Sequence, residues 1–207
     1  MTLLTRRATL AAGLALAATP KLAHAAPAIG AEAPAFTLPD QDGTMRSLAD
    51  FRGSVVVLEW TNHDCPFVRK HYNSGNMQAL QTLAKERGVV WLSMASSPEG
   101  EQGFVTGGQA RELTESRRAN PTAVLLDHRS VAARAYAATV TPHMFVIDRS
   151  GILRYMGGID SIRSSRVEDV ARAEPFLRDA MLAVAEGRAP EKPVTQAYGC
   201  AIKYVGA

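Results

Sequence analysis

The chain of 207 residues has two cysteines, and the first of them, Cys65, has the surroundings of a reactive thiol. It follows an apolar, β-branched run at residues 54–60, which predicts a buried strand. Pro66 suits the first position of a helix, where a missing N–H costs nothing, so Cys65 is predicted to cap that helix. A helix N-terminus favours a thiolate, which is the nucleophile of redox chemistry. An inert core cysteine is the alternative.

The second cysteine, Cys200, lies close to the end of the chain. Two cysteines in a protein of an oxidising compartment usually pair, and we predict that Cys200 is the resolving thiol for Cys65. No C-x-x-C motif is present, because Asn62 and Val68 occupy the two positions where its second cysteine would stand. Three alternatives stay open: an unpaired tail thiol, a purely structural disulfide worth ~5 kcal/mol in the chain-entropy model, and a soft copper site that includes His63.

The N-terminus has the three parts of an export signal. A charged start with Arg6 and Arg7 precedes an Ala-rich apolar stretch and an A-x-A cleavage signature at residues 23–25. The paired arginines resemble a twin-arginine signal, and ordinary secretion stays open because Thr9 replaces the usual Phe. We therefore expect a periplasmic or secreted bacterial protein. The chain divides into a signal peptide at residues 1–25, a domain at residues 26–187 and a tail at residues 188–207 that carries Cys200.

Removal of this signal changes the meaning of the charge. The formal net charge of +3 falls to zero, because the signal contains three cations, Arg6, Arg7 and Lys21, and no Asp or Glu. A neutral mature chain gives no electrostatic argument for nucleic acid binding. The apolar stretch is too short for a transmembrane helix, so we expect no stable membrane insertion. Both cysteines lie in the exported part, where disulfides persist.

The hydrophobic pattern predicts a small N-terminal hairpin, strands that alternate with helices, and a final hairpin and helix. The strands are predicted at residues 54–60, 89–94, 123–127, 143–148 and 152–156. The helices are predicted from Pro66, with a break at residues 73–75, and at residues 109–118, 130–138 and 175–186. This alternation predicts an α/β fold with a mixed central sheet and helices on both faces.

Three local features together resemble the thioredoxin fold: a strand that ends in Trp60, a cysteine that opens a helix, and Thr141-Pro142 at the start of a strand. The resemblance implies a cis peptide bond before Pro142. It also implies that Thr141 faces the thiol and pairs with a substrate strand. Trp60 is expected to pack beside the thiol and contact substrate, with a plain core aromatic as the alternative.

Longer segments make the resemblance more specific. The opening at residues 30–38 is similar to the N-terminal extension of the redoxins, the alkyl hydroperoxide reductase/thiol-specific antioxidant group. Residues 64–72, 141–148 and 198–204 are similar to segments of a bacterial exported, peroxiredoxin-like subgroup. The resemblance therefore implies a thioredoxin-like fold with an N-terminal hairpin extension and a C-terminal tail.

The chain departs from peroxiredoxins at the motif that orients the peroxide, P-x-x-x-[ST]-x-x-C, where it has Leu58 and Asn62. We therefore expect weak peroxidase activity. The sequence predicts an exported thiol–disulfide oxidoreductase in which Cys65 is the nucleophile and Cys200 the resolving thiol, with no cofactor and no metal. Its expected partners are protein or small-molecule disulfides and thiols, and an unidentified electron donor. The alternatives are a copper-binding accessory protein and a non-catalytic, disulfide-stapled scaffold of the same fold.

Overall fold

The computed structural model describes residues 27–206. In chain order its strands are β1 (Thr37–Pro39), β2 (Met45–Ser47), β3 (Val56–Thr61), β4 (Val90–Ala95), β5 (Ala123–Leu126), β6 (Val140–Thr141), β7 (His143–Ile147), β8 (Leu153–Gly157) and β9 (Cys200–Ala201). Its α-helices are α1 (Pro66–Asn73), α2 (Asn76–Glu86), α3 (Gly107–Ser116), α4 (Val131–Ala135) and α5 (Phe176–Ala185). Two short 3₁₀ helices span Leu48–Phe51 and Val167–Arg172. The predicted signal peptide, residues 1–25, lies outside the described residues.

A mixed five-stranded sheet forms the centre, in the order β5–β4–β3–β7–β8. Strands β3, β4 and β5 are parallel, β7 is antiparallel to β3, and β8 is antiparallel to β7. The parallel strands are connected through helices, as parallel neighbours require. Strand β3 is central and therefore buried on both faces, which explains its nearly continuous apolar sequence.

Alternate side chains of the central strand enter two separate cores. Val57 belongs to a core layer that α1, α2 and α5 cover, whereas Leu58 belongs to the opposite layer beneath the N-terminal hairpin β1–β2 and α4. Helix α3 lies at the β5 edge and buries Ala110 in a small third cluster. Apolar residues at helical spacing on α2 and α5 supply most of the first layer.

The predicted break in the helix after Cys65 is confirmed. Helix α1 ends at Asn73, and α2 begins at Asn76 after Gly75, whose φ of 76° is a left-handed conformation that glycine adopts without steric cost. The five predicted strands of the central sheet are also confirmed, with ends that differ by one or two residues. The α/β class and the thioredoxin-like architecture predicted from the sequence are therefore correct.

The C-terminal tail is more ordered than its Pro-containing sequence suggests. Its strand β9 pairs antiparallel with β6, and Val194 forms a bridge with Met156 of β8. Strands β6 and β9 were not predicted, because a two-residue strand is too short to show an alternating hydrophobic pattern. Within residues 27–206, no helix is both long enough and apolar enough to cross a membrane.

Candidate redox site at Cys65

Cys65 is the N-cap of α1, as the sequence predicts. Its backbone is extended, with φ −69° and ψ 122°, and Pro66 takes the first helical position. The Cys65 carbonyl accepts the first helical hydrogen bond, from the Arg69 N–H at 2.9 Å. Its own side chain makes no capping hydrogen bond to the helix. The thiol is therefore held at the positive end of the helix dipole and is free to turn toward another segment.

That other segment is the loop between β6 and β7. The Cys65 thiol donates a hydrogen bond to the Thr141 carbonyl oxygen, with 3.1 Å between Sγ and O. The Thr141–Pro142 peptide bond is cis, as the resemblance implied. Thr141 is buried, with 4% of its surface exposed. The sheet thus brings two segments 76 residues apart into direct contact at one sulfur atom.

Cys200 contacts the same residue. Strand β9 places Cys200 directly opposite Thr141 in an antiparallel pair, and Ala201 opposite Val140. Both cysteines are free thiols in this structure. Burial, together with hydrogen bonding and charge from the neighbouring Cys65, raises the pKa of Cys200 to about 12, while Lys203 opposes the rise. Cys200 is therefore a protonated thiol at neutral pH.

The tail shields the first thiol from solvent. Cys65 has 0% of its surface exposed, whereas Cys200 is partly exposed. The close approach depends on Gly199, because a Cβ atom there would lie 1.9 Å from the Thr141 carbonyl oxygen. Its φ of 147° is also a conformation that side chains other than glycine rarely adopt. In this conformation an external disulfide has no access to Cys65.

Hydrogen bonds from side chains and backbone hold the tail on both sides of Cys200. Before it, the hydroxyl of Tyr198 joins a buried cluster beneath α1. After it, the Ile202 N–H donates to the Thr139 carbonyl at 3.0 Å, and the Tyr204 hydroxyl donates to the Ala138 carbonyl. Within this segment, only Cys200 was predicted to have a role. Two tyrosines on either side of Cys200, Tyr198 and Tyr204, are the sequence signal that could have indicated a docked tail.

The sequence model of the AhpC/TSA family matches residues 29–156, which span the hairpin, Cys65, the cis-proline and β8. The chain belongs to the AhpC/TSA family. The family match ends before the tail, so Cys200 lies beyond the matched part. A search of curated proteins finds no match to this AhpC/TSA-family chain.

Solved structures share the fold of this AhpC/TSA-family protein. An uncharacterized conserved protein from Geobacillus kaustophilus is 24% identical with a TM-score of 0.74, over 87% of this chain and 94% of that one. A hypothetical protein from Sinorhizobium meliloti is 24% identical with a TM-score of 0.74, over 88% of this chain and 98% of that one. A candidate thiol:disulfide interchange protein DsbE from Chlorobium tepidum is 25% identical with a TM-score of 0.51, over 63% and 85%.

The placement of Trp60 corrects a prediction from the resemblance. Strand β3 directs Trp60 into the core layer opposite the one that contains Cys65. There the indole packs against Tyr136 and Phe145 with ring centroids 5.3 and 5.1 Å away, and its Nε1 donates to Ser96 at 3.0 Å. With 0% exposure Trp60 is a core aromatic in this structure, which is the alternative that the sequence left open.

The two positions that depart from the peroxiredoxin motif have structural roles. Leu58 is fully buried in the layer opposite Cys65. The Asn62 side chain accepts a hydrogen bond from the Asp64 N–H at 2.9 Å and donates one to the Gln102 carbonyl at 3.3 Å. Its amide therefore shapes the loop that leads into Cys65.

The residues named for the copper alternative do not converge as a ligand set. His63 Nε2 lies 3.4 Å from the Asp64 carboxylate. Over residues 27–206, no three side chains of His, Cys, Asp or Glu are grouped closely enough to hold a metal ion. The arrangement at Cys65 thus offers two thiols around one carbonyl, which is the chemistry of disulfide exchange.

Proposed function

We propose that this AhpC/TSA-family protein is a thiol–disulfide oxidoreductase with Cys65 as nucleophile and Cys200 as resolving thiol. One observation carries the proposal: the only two cysteines of the chain meet at Thr141, one bonded to its carbonyl and one paired with its backbone. The fold alone does not fix an activity, so the argument depends on this constellation.

The proposed reaction is a two-step exchange. The Cys65 thiolate attacks one sulfur of a substrate disulfide, forms a mixed disulfide and releases the other substrate sulfur as a thiolate. Cys200 then loses its proton and attacks the Cys65 sulfur, and the second substrate thiolate leaves. The substrate disulfide is reduced to two thiols, and the protein gains a Cys65–Cys200 disulfide. A thiol donor regenerates the protein by the reverse exchange.

The high pKa of Cys200 fits the order of these steps. As a protonated thiol, it does not compete with Cys65 for the first attack. When Cys65 becomes part of a mixed disulfide, its charge disappears and one cause of the raised pKa of Cys200 disappears with it. Cys200 therefore becomes easier to ionise at the step where it is needed.

The direct test is to trap each intermediate. The chain from Ala26 onward is reduced, exposed to oxidised glutathione and mapped by mass spectrometry without reductant. We expect a Cys65–Cys200 peptide from the wild type, glutathione on Cys65 in Cys200→Ser, and loss of turnover with a dithiol donor in Cys65→Ser. Two free thiols in the wild type after full oxidation, or glutathione on Cys200 in Cys65→Ser with none on Cys65 in Cys200→Ser, would reject the assignment.

A structural disulfide is the second candidate, because Cys65 has no exposed surface. This candidate and the enzyme differ in how easily the bond is reduced. A structural bridge resists the glutathione pool, whereas a catalytic one exchanges with it. Reduction of the bridge over hours, together with a large loss of thermal stability, would favour the structural role.

We also propose that the protein acts outside the cytoplasm. The support is the charged start, apolar stretch and cleavage signature at residues 1–25, together with two cysteines that can pair in an oxidising compartment. N-terminal sequencing of the protein from a periplasmic extract should begin near Ala26. An intact Met1 on exported protein would contradict cleavage.

A further inference from the structure

Four polar side chains meet in a fully buried cluster under the tail. Lys70 and His71 come from α1, Asp160 follows β8, and Tyr198 lies two residues before Cys200. Their exposed fractions are 1%, 0%, 4% and 3%. Burial of a cation and an anion is costly unless both are paired and hydrogen-bonded, so each member of the cluster depends on the others being in place.

The Tyr198 hydroxyl is the centre of this cluster. It donates a hydrogen bond to Asp160 Oδ1 and accepts one from Lys70 Nζ at 3.1 Å. Lys70 Nζ also donates to Asp160 Oδ2 at 3.0 Å and to the Ile162 carbonyl at 3.0 Å. Every hydrogen of the ammonium group therefore has an acceptor, and one of these acceptors belongs to the tail.

His71 completes the surroundings of the hydroxyl. Its Nε2 lies 3.4 Å from the Tyr198 oxygen, and its Nδ1 lies 2.9 Å from the side-chain nitrogen of Asn76. An amide nitrogen donates, so Nδ1 is the acceptor and Nε2 carries the hydrogen that points toward Tyr198. The Tyr198 ring also packs edge-on against Phe67, at 5.8 Å between centroids. One side chain of the tail is thus fixed to α1 by both its ring and its hydroxyl.

The cluster connects the two cysteine-bearing segments. Cys65 caps the same helix that contributes Lys70 and His71, and Tyr198 is separated from Cys200 only by Gly199, which lies against Thr141. A residue that holds Tyr198 to α1 therefore also holds Cys200 near Cys65. Within residues 27–206, Tyr198 is the only tail residue whose side chain bonds to the Lys70 ammonium.

We propose that Tyr198 is a positioning residue for Cys200: its hydroxyl, held by Lys70 and Asp160, keeps the second thiol docked beside the first. The inference rests on the proposed function, because it concerns the disulfide that Cys65 and Cys200 form. When the tail is docked, the Cys200 thiol has a high effective concentration near Cys65. When the tail is mobile, this effective concentration is lower. Loss of the hydroxyl should therefore make the disulfide easier to reduce.

The test is a redox titration of Tyr198→Phe in glutathione buffers. In this reaction, oxidised glutathione accepts two electrons from the two thiols and becomes two reduced glutathione molecules. We expect an equilibrium constant for the Cys65–Cys200 disulfide about tenfold lower than that of the wild type, since hydrogen bonds to charged groups are typically worth more than a tenfold change. Asp160→Asn should shift the constant in the same direction and serves if Tyr198→Phe does not fold.

Tyr72→Phe is the matched control. Tyr72 is also on α1, and its buried hydroxyl donates to the buried Glu59 carboxylate at 3.0 Å, away from the tail. A merely structural role for Tyr198 would lower thermal stability in both variants and leave the disulfide equilibrium unchanged in both. A wild-type constant in Tyr198→Phe and Asp160→Asn, or an equal shift in Tyr72→Phe, would overturn the inference.

A second measurement separates this inference from the proposed function. Hydrogen exchange of the Ile202 amide, which bonds to Thr139, reports docking of the tail in the reduced protein, where no disulfide is needed. Faster exchange in Tyr198→Phe than in Tyr72→Phe supports positioning, and equal exchange contradicts it. Failure of the wild type to form the disulfide would reject the proposed function, and the exchange result would still decide whether Tyr198 docks the tail.

Discussion

The Cys65 thiol donates to the carbonyl oxygen of Thr141, the residue that pairs through its backbone with Cys200. One residue, Thr141, therefore contacts both a fully buried cysteine and a partly exposed one. The two thiols are also neighbours, since Cys65 acts on Cys200 through hydrogen bonding and charge. The reactivity of each thiol consequently depends on the presence of the other and on the docking of β9.

Removal of Cys65 should make Cys200 more reactive. Cys65 raises the pKa of Cys200 by hydrogen bonding and charge, in addition to burial, so Cys65→Ala lowers that pKa. We expect Cys200 to react at least severalfold faster with iodoacetamide near neutral pH, as measured by mass spectrometry over a pH series. Cys65→Ser, which keeps a hydrogen-bonding group, should give an intermediate rate. An unchanged rate in Cys65→Ala would contradict the coupling between the two thiols.

Replacement of Gly199 by alanine should expose Cys65. The added Cβ would lie 1.9 Å from the Thr141 oxygen, and the φ of 147° is unfavourable for alanine. We expect docking of the tail to weaken by about 2 kcal/mol, in line with strained backbone conformations, and alkylation of Cys65 to accelerate.

Gly187→Ala is the control for that substitution. Gly187 also has a positive φ, 76°, but an added Cβ would contact nothing within 4 Å. It should therefore cost roughly 1–2 kcal/mol of stability through backbone strain and leave Cys65 protected. Equal alkylation of Cys65 in both alanine variants would show that the contact with Thr141 does not shield the thiol.

Acid should destabilise the protein through His71. Burial lowers the pKa of His71 to about 4, with Asp160 opposing the shift and Lys70 adding to it. The unfolded chain binds a proton on this residue near pH 6.5, and the folded protein does not. The contribution to stability is therefore fully present above pH 6.5 and is lost as the pH falls toward 4, by about 3 kcal/mol in total.

Denaturant titrations at several pH values can isolate this contribution. His71→Gln should have a smaller slope of unfolding free energy against pH between 6.5 and 4. His143, whose pKa burial also lowers to about 4, should account for much of the slope that remains. A wild-type slope in His71→Gln would show that His71 is protonated in the folded protein at these pH values.

Peroxide should be a poor oxidant of the reduced protein. Leu58 and Asn62 occupy the positions of the peroxide-orienting motif, and the Asn62 amide already bonds to Asp64 and Gln102. Cys65 is also fully buried when the tail is docked. In parallel stopped-flow experiments, we expect hydrogen peroxide to oxidise the protein more slowly than oxidised glutathione does. A peroxide reaction faster than glutathione exchange would restore the peroxidase interpretation.

The parts of the fold that depend on local sequence could be predicted. Pro66 after a β-branched run predicts Cys65 at a helix N-cap, and Gly75 predicts the break between α1 and α2. These features require only neighbouring residues, because backbone preferences of Pro, Gly and β-branched side chains act over a few positions. The order of strands and helices followed from the same local signals.

The site depends on contacts that local sequence does not specify. Lys70 meets Asp160 and Tyr198 across 90 and 128 residues, and a lysine on a short helix gives no sign that it will be buried. Trp60 shows a second limit. Alternation along β3 predicts that Trp60 and Glu59 point to opposite faces of the sheet. It does not predict on which of these faces the loop after β3 places Cys65.

The order of the elements along the chain has a consequence for biosynthesis. The last strand of the central sheet ends at Gly157, but the segment that shields Cys65 arrives only with β9 at Cys200. During synthesis, and in any copy whose final residues have been removed by proteolysis, the sheet can therefore assemble around an unprotected thiol. Such molecules would form mixed disulfides with unrelated chains, so the closing segment acts as protection against mispairing as well as part of the site.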